Sequence, residues 1–211
     1  MTTKGKDTHN KKEHPHQKRT IVFTPHSSAL LVIDMQEYFC NPQSHAYFKD
    51  AKKIVPNIQK LITTYRQQSH LVIFTRYALL RTDAPGPMCR WWNDVLYDDE
   101  PMAPLIDALD SLPQEPVIRK TQYSAFFETN LDQILKNHHV SNLVITGVLT
   151  HLCCETTARD AFMRNYDVFF VTDATASDEK RFHEASLTTL SDGFTTLTTT
   201  KEVCTWIKET K

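Results

Sequence analysis

Only four glycines occur in the 211 residues, at Gly5, Gly86, Gly147 and Gly193. No G-x-G-x-x-G turn and no G-x-x-x-x-G-K-[ST] loop can be assembled from them, which disfavours dinucleotide and P-loop nucleotide binding. Long hydrophobic runs are missing as well. None approaches the roughly 18 to 20 residues that span a bilayer, so no membrane partner is expected. The stretch "MTTKGKDTHNKKEHPHQKRT" lacks the apolar segment of a secretory signal. There is no H-E-x-x-H and no Cys/His grouping with zinc spacing, so neither a metal nor a cofactor is expected. "GVLTHL" carries no serine in a G-x-S-x-G elbow, which removes the strongest sign of a serine hydrolase. The five cysteines, Cys40, Cys89, Cys153, Cys154 and Cys204, are odd in number and irregular in spacing. They fit no disulfide framework, and reduced thiols in a cytoplasmic protein are the expectation.

Only one end of the chain carries an excess of basic charge. The formal net charge is -1, yet the first twenty residues carry six Lys/Arg against two Asp/Glu, so the remainder is acidic. A body without a basic face gives no footprint for nucleic acid. Residues 1–26 are expected to be a basic, disordered tail and residues 27–211 one domain, because 40% hydrophobic content supports a single core at this length.

In that domain, short apolar runs alternate with amphipathic stretches. The runs are "ALLVI" at 29, "HLVIFT" at 70, "PVIR" at 116, "NLVITG" at 142, "DVFFVT" at 167 and "GFTTL" at 193. They lack strict polar alternation, as buried parallel strands do. Helical patterns fall at about 51–69, 103–110, 127–138, 152–165, 179–191 and 200–208. The order predicts an α/β fold: a doubly wound, mainly parallel six-stranded sheet with helices on both faces, a three-layer Rossmann-like architecture. Ligands of such sheets bind outside the strand carboxyl ends, where Asp34, Arg76, Lys120 and Thr150–Cys153 stand. The Tyr77–Pro101 connection, with "DAPGPMCRWW", reads as an irregular loop serving either function or assembly.

The adjacent pair Cys153 and Cys154 falls where the fourth strand gives way to a helix. A thiol there meets unpaired backbone N–H groups and the positive end of the helix dipole, which favour thiolate and can receive an oxyanion. Neighbours on a helix point about 100° apart, so one thiol can face the crevice while the other packs. Position alone slightly favours both being small buried hydrophobes. What weighs against that is an acid, Asp34, and a base, Lys120, at neighbouring strand ends.

These residues carry a resemblance. "LLVIDMQEYF", "RKTQYSAFFETNLDQIL" and "ITGVLTHLCCETTARDAF" resemble, in the right order, three motifs of the isochorismatase-like cysteine hydrolase family, over about residues 28 to 208. The resemblance implies Asp34 as proton-transfer group, Lys120 as its cationic partner and Cys153, six residues after Gly147, as nucleophile. It also implies a cis peptide at Val148–Leu149 and an oxyanion hole formed by the N–H groups of Leu149 and Cys153. Members that are true isochorismatases are similar but have a small non-nucleophilic residue at the cysteine position. Nicotinamidases of the superfamily carry metal ligands after the second strand, where this chain reads "FTRYALLRTD". Neither metal nor nicotinamide is therefore expected.

The expected function is cysteine-dependent hydrolysis of a C–N amide-type bond in a small molecule through a thioester. The alternatives are isochorismatase-type hydrolysis of another bond, or a non-catalytic binding or redox member of the fold. For the substrate wall the candidates are Phe39, Tyr77, Trp91 and Trp92, with Arg90, Arg76 and Arg81 as carboxylate anchors. Solvated arginines and tryptophans at a subunit contact are the competing expectation. A homo-oligomer is expected from the resemblance and from the apolar "MCRWW" and "YALL" segments.

Overall fold

A computed structural model describes residues 21–209. Six strands form one sheet: β1 (Ser28–Ile33), β2 (Leu71–Tyr77), β3 (Val117–Lys120), β4 (Asn142–Val148), β5 (Asp167–Ala176) and β6 (Thr195–Thr198). Their order is β3-β2-β1-β4-β5-β6, and every pairing is parallel. The six apolar runs each became a strand. β1 and β4 are buried throughout, which is why their sequences show no polar alternation.

Alternate residues of β1 feed two cores. Leu30 and Val32 join a cluster with Ile58, Leu61, Val203 and Ile207, which come from α3 (Val55–Gln67) and α8 (Thr200–Lys208). Ala29, Leu31 and Ile33 join the opposite cluster with Leu131, Leu135, Ala158, Ala161 and Leu190. Those side chains come from α5 (Leu131–Asn137), α6 (Glu155–Met163) and α7 (Lys180–Gly193). The result is the expected three-layer arrangement. α8 starts on a capping box, with the Thr199 hydroxyl receiving the Glu202 N–H and the Glu202 carboxylate receiving the Thr199 N–H.

The helical expectations hold less evenly. The 103–110 pattern yields only one 3-10 turn, Asp107–Leu109. The chain there is held instead by backbone bonds to the segment after β1: Glu37 N–H to Pro104 O, Tyr38 N–H to Met102 O and Ile106 N–H to Met35 O. Within the Tyr77–Pro101 connection, expected to be irregular, Pro87–Trp92 forms a helix, α4. Pro87 is no obstacle because a first-turn N–H has no intrahelical partner anyway. Further short helices are α1 (Glu37–Cys40) and α2 (Lys49–Lys53).

Of the expected tail, residues 1–20 lie outside the described residues, while Ile21–His26 lie along the domain. Phe23 packs edge-on against Phe169 with ring centroids 4.9 Å apart and lies 5.2 Å from the Trp206 ring. Among the described residues, no helix is long and apolar enough to cross a membrane.

Candidate active site

The strand order runs outward in opposite directions from the β1/β4 pair, so the chain leaves these neighbours on opposite faces and opens a crevice at their carboxyl ends. Asp34 follows β1 there with φ 51°, and the non-proline peptide Val148–Leu149, cis, follows β4. The register sets Ile33 against both Thr75 and Gly147. Gly147 has φ +109°, and a Cβ on it would sit 2.0 Å from the Ile33 carbonyl oxygen. Only glycine fits this crossing.

Asp34, Lys120 and Cys153 converge beneath the crevice. Lys120 Nζ lies 2.7 Å from Asp34 Oδ2 and donates to Cys153 Sγ at 3.3 Å and to the Gln122 carbonyl at 2.9 Å. Two of the three ammonium N–H donors are thus placed on Gln122 and Cys153, while Asp34 Oδ2 meets the ammonium as an ion pair. Thr75, which sequence reasoning passed over as an ordinary strand residue, donates its hydroxyl to Asp34 Oδ1 at 2.8 Å. Gln36 was also missed. Its amide donates to the Tyr77 and Ala103 carbonyls, and its Oε1 accepts the Tyr77 N–H, tying the end of β2 to the turn after β1.

Burial pulls the Lys120 ammonium down, but the charges of Asp34 and Cys153 and its bonds to both outweigh it and hold Lys120 above its ordinary range. The Cys153 thiol is pushed up from 9.0 to about 12, chiefly by burial, with Lys120 opposing and Asp34 reinforcing. The expected thiolate preference is therefore reversed: desolvation exceeds the help that Lys120 supplies. Cys153 and Cys154 belong to a π-helical turn, Thr150–Cys154, that leads into α6. Cys154 is fully buried, with its thiol 3.9 Å from the Thr146 carbonyl. It is the packing member of the pair.

Cys153 opens onto a cavity of about 510 Å³. Of the candidate wall residues, Phe39, Tyr77 and Trp92 line it, as does Leu149. Trp91 does not: it is 81% exposed on α4. Arg90 is also outside, reaching the Pro85 carbonyl at 3.4 Å. Arg76 pairs with Asp98. Arg81 pairs with Asp99 and lies over the Tyr97 ring. The expected carboxylate anchors are thus engaged by acidic neighbours within the Tyr77–Pro101 connection or turned to solvent.

The polar lining comes from residues the sequence did not single out. Tyr38 and His45 both donate to Asp94 Oδ2, the latter at 2.8 Å. Tyr123 receives the Trp92 indole N–H at 2.6 Å. His151 shares a hydrogen bond of 2.9 Å with Ser177 and stacks on Phe182. Among the described residues, no group of three or more His, Cys, Asp or Glu is arranged to hold a metal ion.

The Isochorismatase domain model matches residues 28–202. The chain belongs to the isochorismatase family. It is 38% identical over 170 residues to nicotinamidase 3 of Arabidopsis thaliana, covering 79% of this chain and 82% of that one. Among solved structures, a cysteine hydrolase from Pseudomonas syringae pv. phaseolicola 1448A superposes with a TM-score of 0.86 at 30% identity, over 92% of this chain and 99% of that one. N-carbamoylsarcosine amidase from Thermoplasma acidophilum gives a TM-score of 0.73 at 27% identity, over 82% and 96% of the two chains. This family member is accordingly a hydrolase by descent, and its relatives include enzymes named for amide hydrolysis.

Proposed function

We propose that the protein hydrolyses a C–N amide-type bond of a small molecule through a thioester on Cys153. The three-way contact of Asp34, Lys120 and Cys153 beside the cavity carries this reading. With the thiol pushed up to about 12, attack requires a local base, and Asp34 takes the proton as sulfur bonds to the substrate carbonyl carbon. The carbonyl π pair moves to oxygen, where the N–H groups of Leu149 and Cys153 receive it. Collapse breaks the C–N bond, and Asp34 returns the proton to the leaving amine. Water then attacks the thioester with Asp34 as base, which releases the acid and restores the thiol. Lys120 keeps the ionised forms of both partners accessible in a desolvated site.

The substrate class is a small amide or ureide lying against Phe39, Tyr77 and Trp92. The expectation against nicotinamide rested on missing metal ligands, and the likeness to nicotinamidase 3 brings nicotinamide back into the assay panel. No step is routed through a metal. Quenched turnover should leave an acyl adduct on Cys153 by mass spectrometry. Cys153→Ala should lose both adduct and turnover, and Cys154→Ala should keep both; the opposite pattern would overturn the assignment.

The deep burial and high thiol pKa favour one second reading, a binding or redox member of the family. A Cys153–Cys154 disulfide that forms reversibly in air, with no turnover across the panel, would select it. A homo-oligomer is proposed with either reading, since Trp91 and Met163 are 81% and 74% exposed and apolar surface of this kind favours association.

A further inference from the structure

We infer that the Tyr38–His45–Asp94 network is the specificity-determining part of the cavity, selecting substrates whose far end is neutral or cationic and donates hydrogen bonds, and rejecting carboxylates. This rests on the cavity being the amide site.

No Lys or Arg is among the described residues lining the cavity; its charged and titratable lining consists of Asp94, Asp178, His45 and His151, besides tyrosines and Cys153. His151 is pushed down by burial, against the pull of nearby Asp178, Glu155 and Glu179, which disfavours its cationic form. Among the described residues, Lys120 is the cation that contacts Cys153, and Asp34 already pairs with it. A substrate carboxylate would therefore enter an apolar-walled space with acidic groups and no available guanidinium or ammonium. Desolvation would cost it heavily without a partner.

Asp94 is placed to act on a ligand. Burial pushes its carboxyl up, but the bonds from Tyr38 and His45 and the His45 charge outweigh this and keep Asp94 below the ordinary carboxylate range. Its oxygens receive Tyr38, His45 and the Val95 N–H. An ionised carboxylate has about four acceptor positions, so one more donor can be accommodated. The His45 side chain is 72% exposed, so a competing donor can displace it readily. Tyr38 cannot yield in the same way, because its ring is buried and stacked edge-on against Phe39 at 4.9 Å. Phe48, Tyr77 and Trp92 supply the apolar walls.

The test is calorimetric binding of three probes that share one ring, benzamidine, benzamide and benzoate, to the full-length wild type and two variants. Wild type should bind benzamidine at least about tenfold more tightly than benzoate, a ratio worth about 1.4 kcal/mol, with benzamide between them. Asp94→Asn should shrink that ratio to about threefold or less, and His45→Ala, at an exposed position, should widen it. Benzoate binding as tightly as benzamidine, a ratio that survives Asp94→Asn, or no binding by any probe would overturn the inference. Turnover plays no part in this readout. Loss of the thioester reading would appear instead as retained activity in Cys153→Ala, with the binding ratios untouched.

Discussion

Lys120 Nζ sits 2.7 Å from Asp34 Oδ2 with both side chains 0% exposed. A fully buried pair of this kind is not justified by stability alone, because taking both charges out of water offsets most of their attraction. Removing one partner leaves the other charged and stranded. Lys120→Met should therefore cost about 3–5 kcal/mol of stability and lower kcat by about 10²–10⁴-fold. The double variant Asp34→Asn/Lys120→Met should regain much of the stability and none of the activity. Chemical denaturation of the wild type and the two variants measures the first part, and single-turnover kinetics the second.

Gly147 is expected to be intolerant. With φ +109° and a Cβ that would lie 2.0 Å from the Ile33 carbonyl oxygen, Gly147→Ala cannot be relieved by moving a flexible side chain. Strand β1 or β4 must shift at the point where each delivers its site residues. A loss above about 4 kcal/mol is expected, seen as a large drop in thermal midpoint or as insoluble protein. A variant with an unchanged midpoint would show that the crossing is looser than its geometry.

Alkaline pH should destabilise the fold through its buried thiols. Cys153 and Cys40 are each pushed from 9.0 up to about 12 by burial, and Cys154 well above 9.0 for the same reason. Their folded-state values lie above the unfolded ones, so the folded state holds more protons in this window. The contribution is full below pH 9.0 and declines as pH rises toward about 12. Thermal midpoints measured across that range should fall, and the fall should be shallower in Cys154→Ala. An equal slope in that variant would show that Cys154 contributes nothing and leave Cys153 and Cys40 as the thiols responsible.

The central strands were legible because β1 and β4 are buried throughout and so are written as continuous apolar runs, while the partly exposed edge strands β3 and β6 were placed by their position in the strand–helix order. The catalytic candidates were legible because Asp34, Lys120 and Cys153 each follow or end a strand, and chain topology brings parallel strand ends together. What escaped depends on partners far apart in sequence. Asp94 lies 56 residues from Tyr38, and nothing local marks either as part of a pair. Arg76 looked available at a strand end because Asp98, its partner 22 residues on, is brought back only by the fold of the connection. The helix α4 was hidden by "PGP", where proline and glycine read as breakers although Pro87 stands at the helix start. The thiol pKa was misjudged for a related reason. Sequence locates a helix end but not the depth at which it is buried, and here depth outweighs the dipole.

Trp91 and Trp92, adjacent on α4, should separate by phenotype. Trp92 lines the cavity and donates its indole N–H to Tyr123 at 2.6 Å, whereas Trp91 turns outward and is 81% exposed. Trp92→Ala removes a wall and leaves the Tyr123 hydroxyl without that donor, so KM for an aromatic amide should rise about five- to thirtyfold, the equivalent of about 1–2 kcal/mol. Trp91→Ala should leave kcat and KM within twofold, because Trp91 is exposed and does not line the cavity. If the outward face of α4 is an assembly surface, the same substitution should lower the sedimenting mass at micromolar concentration, since large aromatics carry much of the binding energy of such surfaces. Kinetics and sedimentation run on both variants then assign each tryptophan. A KM effect from Trp91→Ala with intact assembly would mean that α4 rotates its outer face toward the substrate on binding.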